Sequence, residues 1–506
     1  MKKITKILGL FIILISFVAS GAAVLADDNA TLAHIKETGK LTIGMSPDYP
    51  PFEFHANIDG KDKIVGADVT LAEQIAKDLG VKLEIKAMDF DAILTALSSG
   101  QVDIGLSGFT KTPERAKQFD FSDPYYTSPQ ALIVRKEDLK KYSTLESLKD
   151  EKVGAQKGSL QEQILKDNIP SASKVLMPDL AQLVSALKTG AINALVIEKP
   201  IGESYLEHNP TLSMTDITYP NLDPEGSSNV VMINKNNQEL VDDVNATIAR
   251  VGDSMSAYVK DANDLANSQA DETDTHKGGG LNFSFIGKYL PYYFEGALVT
   301  ILVSIGVVIL GSVLGFFLAL MKRAKNVVLK TFASVYIAIF RGTPMLLQIL
   351  IAFVLIQVHA PRIGSGIFQI DLSLLIPGFV AIALNSAAYV AETIRGGINA
   401  VDAGQIEAAK SLGLRPAKAM MYVVLPQALR NVLPAIGNEV VTIIKDSSLL
   451  STIGLAELLF VTKDVQTSTY IPLEPLLVAG LFYFIMTFIA SQGVKLLESS
   501  MEKGYK

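Results

Sequence analysis

The sequence predicts two units of different class, a bilobed α/β domain followed by an all-α membrane domain of five spans. Three observations carry that prediction. Between residues 31 and 265 short β-branched runs alternate with helical patterns. From about residue 297 onward long apolar stretches recur. Charge changes sign between the two regions, with 28 Lys/Arg against 40 Asp/Glu up to Gly280 and 17 against 12 beyond it. The chain has 506 residues and is 49% hydrophobic, a combination that argues against one soluble domain. Its net charge of −7, without a Lys/Arg-rich stripe, excludes a nucleic-acid partner, because phosphate binding rests on clustered positive charge. Zero Cys excludes disulfides, thiolate metal sites and Cys nucleophiles. The five His are scattered without ligand spacing, so no metal is assigned.

Residues 1–26 read as a secretory signal: Lys2, Lys3 and Lys6, an apolar run from Ile7 to Val18, then small residues ending at Ala26. The apolar core is shorter than the roughly 20 residues of a membrane span, so cleavage after Ala26 is the reading, with an uncleaved anchor as the alternative. Either version exports residues 27–266. In that domain Leu41–Gly44, Leu83–Ala87 and Val102–Gly105 read as strands, and Val69–Leu79 and Asp91–Ser99 as helices. Lys152–Ala155, Leu180–Leu187 and Ala194–Ile197 repeat the pattern as a second lobe. Such alternation implies mainly parallel sheets covered by helices, which take ligands at the carboxyl ends of their strands. Small ligands favour the crevice between two lobes. Residues 267–280 are nearly devoid of apolar side chains and end in three glycines, so they read as a flexible tether with a reach of about 20 Å.

In the last unit, residues 281–506, spans are expected at about 297–321, 332–358, 374–394, 432–453 and 471–494. Lys322, Arg323, Lys325 and Lys330 follow the first span, and Lys410, Arg415, Lys418 and Arg430 follow the third. The bias of basic residues puts both loops in the cytoplasm. The α/β domain is then outside and the C-terminus inside, in a multi-pass protein of the cell membrane. The fourth stretch holds Asn438, Glu439, Lys445, Asp446, Ser447 and Ser448, which are costly at membrane depth. They either line a polar path or mark a re-entrant helix.

Several ordered motifs point to a family. They are Tyr49-Pro50-Pro51-Phe52-Glu53-Phe54, Gly66-Ala67-Asp68-Val69, Phe90-Asp91-Ala92-Ile93, Ser107 to Arg115, and Phe119 to Tyr126. As a set they resemble the extracellular solute-binding proteins for polar amino acids, whose fold is the bilobed periplasmic-binding-protein type. A free amino acid presents a carboxylate and an ammonium on one carbon, so a selective site needs a bidentate cation and a carboxylate. The resemblance implies that Arg115 holds the ligand carboxylate, with the backbone or hydroxyls of Ser107, Gly108 and Thr110. It places Glu198, where the family usually has Asp, at the ammonium. Tyr49, Phe52 and Phe90 would wall the side-chain pocket, and Gly158, Ser159 and Gln161 come from the second-lobe loop. Asp68 and Asp120 are taken as structural. Members for basic ligands generally have an acid three positions before the first aromatic, and Ser46 stands there. Glutamine is therefore the expected ligand, with glutamate, asparagine or, through Asp48, a basic amino acid such as arginine as alternatives.

In the second half, Glu407-Ala408-Ala409 with Gly413 and Leu425-Pro426 resembles the coupling loop of bacterial ABC import permeases, within a loop of about residues 402–430. Arg341-Gly342-Thr343-Pro344 and Lys445 to Ser451 resemble the polar amino acid branch. In that family Glu407, Ala408, Ala409, Gly413 and Pro426 would belong to the segment that docks on an ATPase. No G-x-x-x-x-G-K-[ST] phosphate cradle occurs in the chain. The resemblance thus implies no cofactor in this chain, ATP and magnesium in two copies of a partner ATPase, a homodimer of this chain, an amino acid ligand and contact with membrane lipid. A ligand-gated channel would instead interrupt the receptor with its pore and carry a carbonyl-lined filter, neither of which is in the sequence. No paired acid/base or nucleophile constellation suggests an enzyme.

Overall fold

Two mixed sheets, one per lobe, organise the α/β half in the computed structural model. It describes residues 30–503 apart from 59–60, 220–226, 272–280, 357, 359–361, 366–367, 470 and 472, so the signal reading for residues 1–26 lies outside the described residues. In the first lobe the strands Lys82–Ala87, Lys40–Met45, Ile104–Gly105, Met232–Asn234 and Phe119–Phe121 lie side by side in that order. The first three are parallel, and Met232–Asn234 returns antiparallel to both neighbours. Leu41, Ile43 and Met45 are fully buried there, which explains why a β-branched run became a central strand. The second lobe orders Ser173–Met177, Lys152–Gln156, Ala194–Glu198, Gln130–Arg135 and Leu212–Met214. The chain crosses between lobes through the antiparallel pair Tyr126–Thr127 and Ser228–Asn229, a two-stranded hinge.

Both sheets aim carboxyl ends at the crevice: Met45 and Gly105 end first-lobe strands, and Glu198 ends a second-lobe strand. Helices Ala67–Asp78, Phe90–Ser98 and Leu180–Lys188 lie within a few residues of their expected bounds.

The first five residues of the expected tether are helical. Helix Ser254–Asp271 runs through residues 267–271, because Ala262 and Ala266, one turn apart, pack on Phe54 and Ala56, and His208 Nε2 meets Asn267 Oδ1 at 3.1 Å. Nothing in Asn267–Asp271 breaks the helix. Residues 272–280, with the glycines, lie outside the described residues.

Among the described residues four helices are long and apolar enough to cross a membrane, or five if a bent pair counts as one span. Ile286–Arg323 and Leu372–Asn399 enclose the first and third expected spans, and Glu474–Lys503 covers the fifth from residue 474 onward. The second, expected as one run over 332–358, is instead two helices, Val327–Gly342 and Met345–Leu355, bent by 111°. Pro344 forces the break: it has no N–H and drives Thr343 into extended backbone. The carbonyls freed there are satisfied by side chains. Gln348 donates to Phe340 O at 2.9 Å and to Thr343 Oγ1 at 2.7 Å, and Asn385 donates to Phe340 O at 2.9 Å. The fourth span starts earlier than expected, in helical backbone from Pro416 to Ile453. Its polar residues divide: Glu439 accepts from Ser386 of the third span at 2.9 Å, whereas Asn438, Thr442 and Lys445 follow one another at helical spacing on an exposed face.

Candidate functional site

The crevice gathers most of the predicted binding residues. Arg115 opens a short 3-10 turn after the loop from Ser107, and its guanidinium is held from both lobes. Nη1 donates to Thr110 O at 2.7 Å, and Nη2 donates to Gly158 O of the second lobe at 2.8 Å. Its flat face lies 5.2 Å from the Phe109 ring centroid and 5.9 Å from that of Phe90. Phe90 stacks on Phe109 at 4.6 Å, which fixes the platform. Among the described residues no carboxylate pairs with Arg115, and burial alone lowers its pKa to about 10.

Glu198 comes from the opposite lobe. It ends the strand Ala194–Glu198, is 1% exposed, and its Oε2 has no hydrogen-bond partner among the described residues. Burial raises its pKa to about 8, against the opposing polar groups of Tyr49, Asn229 and Ser128, and the charge of Asp68 adds to the rise. A half-buried cation without an anion among the described residues therefore comes from one lobe, and a buried acid without a cation from the other. A zwitterion satisfies both, because its two charged ends replace the water that each group has lost.

The remaining predicted residues divide between lining and support. Thr110 is buried and supplies the carbonyl that holds Arg115. Gly158 does the same from the second lobe with φ +79, and its N–H donates to Glu162. Tyr49 covers Gly108 so closely that a Cβ there would stand 3.1 Å from the ring. Gly108 N–H is already given to Asp68 at 3.2 Å, and Tyr125 OH gives a second bond to Asp68 at 2.7 Å. The Ser107 hydroxyl donates to Glu53 and accepts from Ser46 N–H. Ser159 caps the helix Leu160–Asn168, and Gln161 donates to Gln130 at 2.7 Å. Phe52 is fully buried, with its ring edge-on to Tyr126 at 5.3 Å, and sits in the first-lobe core. Asp120 pairs with Lys235 at 2.8 Å.

Asp48 is not free for a basic side chain. It accepts from Ser46 Oγ at 2.7 Å, and across the crevice from Leu180 N–H at 2.9 Å and Gln156 Nε2 at 3.4 Å. With the Arg115 bond to Gly158 and the Lys157–Asp91 pair at 2.7 Å, these contacts hold the lobes closed.

A second charged region lies where the receptor meets the membrane domain, and no motif had marked it. Lys463, on the helix Leu458–Thr469, pairs with Asp89 of the first lobe at 2.8 Å. His55 Nδ1 lies 2.7 Å from Asp62, its Nε2 3.3 Å from Asp464, and its carbonyl accepts from Ser468. The ligand-type atoms of His55, Asp62 and Asp464 lie within 4.8 Å of one another, a grouping that sequence spacing did not show. Each ring nitrogen faces its own carboxylate, so the arrangement suits an imidazolium between two anions. Burial opposes the charged ring, but Asp464 and Asp62 outweigh it and hold the pKa up to about 9. Gly454, at φ +85, presses on the receptor backbone: a Cβ there would lie 1.9 Å from Ala87 O.

The predicted coupling segment is a helix, Ala403–Ser411, with Glu407 and Ala408 exposed and Ala409 buried against its own fold. Gly413 ends it with φ +81, next to Leu412, which is 84% exposed, and Pro426 lies in the first turn of the helix Leu425–Asp446.

Comparison with known proteins assigns each half. Residues 41–257 match the bacterial extracellular solute-binding proteins, family 3, and residues 311–503 match the binding-protein-dependent transport system inner membrane component. A protein of Rickettsia typhi named for a glutamine transport system permease is 40% identical over 220 residues, 43% of this chain and 97% of its own. The arginine transport system permease protein ArtQ of Bacillus subtilis is 38% identical over 222 residues, 44% of this chain and 98% of its own. The arginine-binding extracellular protein ArtP of the same organism is 37% identical over 219 residues, 42% of this chain and 81% of its own.

Proposed function

Because the chain belongs to the bacterial amino acid ABC importers, as a family 3 solute-binding domain fused to a permease domain, we propose that it captures glutamine outside the cell and passes it through its own membrane half. The observation that carries the ligand class is a pair of unmatched ionisable groups, half-buried Arg115 for the carboxylate and buried Glu198 for the ammonium, one from each lobe. Thr110 and Gly158 orient Arg115, and Tyr49 and Phe90 wall the pocket. Ser107, Gly108, Ser159 and Gln161 hold the frame behind it. An uncharged side chain is favoured because Ser46 replaces an acid and Asp48 is committed to closing the lobes. Arginine is the second reading, favoured by the likeness of the receptor half to an arginine-binding protein.

The receptor domain lies outside, the C-terminus inside, and two copies of the chain form the path. Support for the dimer comes from Asn438, Thr442 and Lys445, polar groups on an exposed helix face that lipid would disfavour. The exposed helix with Glu407 and Ala408, together with Gly413 and Pro426, receives two copies of an ATPase that binds ATP and magnesium. Closed lobes dock on the membrane half, and ATP binding in the partner rearranges the spans. Coupling of this kind requires the permease to prefer the closed lobes. Isothermal titration of the chain with each amino acid tests the reading: glutamine should bind tightest, and no heat from any amino acid would overturn it.

A further inference from the structure

The helix Leu458–Thr469 touches both lobes of the receptor at once. It packs on the strand Glu53–Ile58 of the first lobe and on the helix Leu180–Lys188 of the second. Lys463 projects from it into three buried carboxylates. Asp89 stands at the start of the first-lobe helix Phe90–Ser98 and pairs with Lys463 at 2.8 Å, both side chains being about seven-eighths buried. Asp179, 4% exposed, caps the second-lobe helix, and Lys463 acts on its charge directly. Asp48 completes the group and bonds across the crevice to Leu180 N–H.

Closure has an electrostatic cost here. Asp179 belongs to one lobe and Asp48 and Asp89 to the other, so shutting the crevice crowds like charges into a dry site. Burial and the repulsion of Asp179 and then Asp89 lift Asp48 to about 7, which registers that crowding. In open lobes Asp179 recedes with the second lobe, leaving Lys463 only the first-lobe carboxylates Asp89 and Asp48. The cation therefore gains more from closed lobes than from open ones.

We infer that Lys463 is the residue by which the membrane half distinguishes closed from open receptor, by neutralising Asp89 and Asp179 together. By reciprocity, a docked membrane half must favour closure and so strengthen the hold on ligand, since the two equilibria share one coupling free energy. The inference rests on the proposed import function for its use, though not for its test.

The test uses the full chain in lipid nanodiscs. Since the chain has no Cys, spin labels on Lys77→Cys and Lys174→Cys, exposed on opposite lobes, report the closed-to-open ratio by pulsed electron paramagnetic resonance. Lys463→Gln should lower that ratio about fivefold or more, the low end of typical coupling between sites. Lys463→Arg should preserve it, which separates loss of charge from misfolding. On an Asp179→Asn background the effect of Lys463→Gln should shrink below about twofold, because the second lobe no longer offers its charge. An unchanged ratio in Lys463→Gln, or an equal drop on both backgrounds, would overturn the inference. L-glutamine and L-arginine are then added separately. If neither moves the ratio while the Lys463 effect persists, the sensor stands and the proposed ligand class falls.

Discussion

The crevice between the lobes and the seam between receptor and membrane domain both bury charge, and they settle it in opposite ways. In the crevice the half-buried Arg115 and the fully buried Glu198 have no opposite charge among the described residues. In the seam the cations have partners: Lys463 has Asp89, and His55 has Asp62 and Asp464. A buried unpaired charge costs several kcal/mol, so the first arrangement is completed by something that enters. The second is completed by the docking of one half of the chain on the other. On the proposed reading one region waits for a ligand and the other registers that it has arrived.

Removing one side of the crevice breaks this contrast most severely. Arg115→Ala should weaken amino acid binding at least about 100-fold by calorimetry, because truncating one partner of a buried charge pair costs several kcal/mol. An affinity within threefold of the parent would show that the cation is structural. In the seam, Gly454→Ala places a Cβ against the Ala87 carbonyl and demands φ +85 of an L side chain. Uptake into vesicles should fall by about tenfold or more while the crevice still binds amino acid, since strain and a backbone clash together exceed a kcal/mol. Equal uptake would mean that the two halves do not meet there.

Glu198 sharpens the comparison through pH. Its pKa is raised from 4.5 to about 8 by burial, so the ligand-free fold favours the protonated form. That stabilisation is complete below 4.5 and is lost as pH rises through about 8. Holding an ammonium needs the ionised form, so affinity should rise up to about tenfold per pH unit below 8 and then level off. Glu198→Gln should bind more weakly and flatten that slope, and a parent profile already flat from pH 6 to 8 would remove Glu198 from the site. The smallest effect belongs to His55, whose pKa is raised from 6.5 to about 9 by Asp464 and Asp62 in spite of burial. Its contribution to docking is present below 6.5 and fades as pH rises through about 9. The groups around it are Asp62 and Asp464, with Tyr292 and Glu295 near Asp62 and Lys463 near Asp464. Docking, read from the distance between a spin label on Lys77→Cys and one on the membrane half, should weaken a few-fold over that range, and His55→Gln should remove the dependence.

The sequence made local features plain and long-range ones opaque. The strand Lys40–Met45 and the helix Ala67–Asp78 follow from period and burial, so their expected bounds missed by only a few residues. The break at Gly342-Thr343-Pro344 was written in its proline, yet a continuous apolar run hid it until side chains such as Gln348 were seen to meet the freed carbonyls. Asn267–Asp271 reads as linker by composition, and only packing of Ala262 and Ala266 one turn earlier makes it helix. The place of Arg115 was legible through an ordered set of motifs in the first lobe, whereas that of Glu198 came only from the position the family resemblance assigns. Asp89 and Lys463 were not, being 374 residues apart and joined only by the docking of two domains. Asp48 was visible as a charge, but its bonds to the second lobe needed the closed crevice.

The most direct test of the whole account is uptake by vesicles that contain this chain and a matching ATPase. The account predicts ATP-dependent accumulation of labelled glutamine or arginine that disappears in Arg115→Ala. Vesicles that accumulate neither amino acid, or that accumulate it equally well without the Arg115 guanidinium, would contradict it.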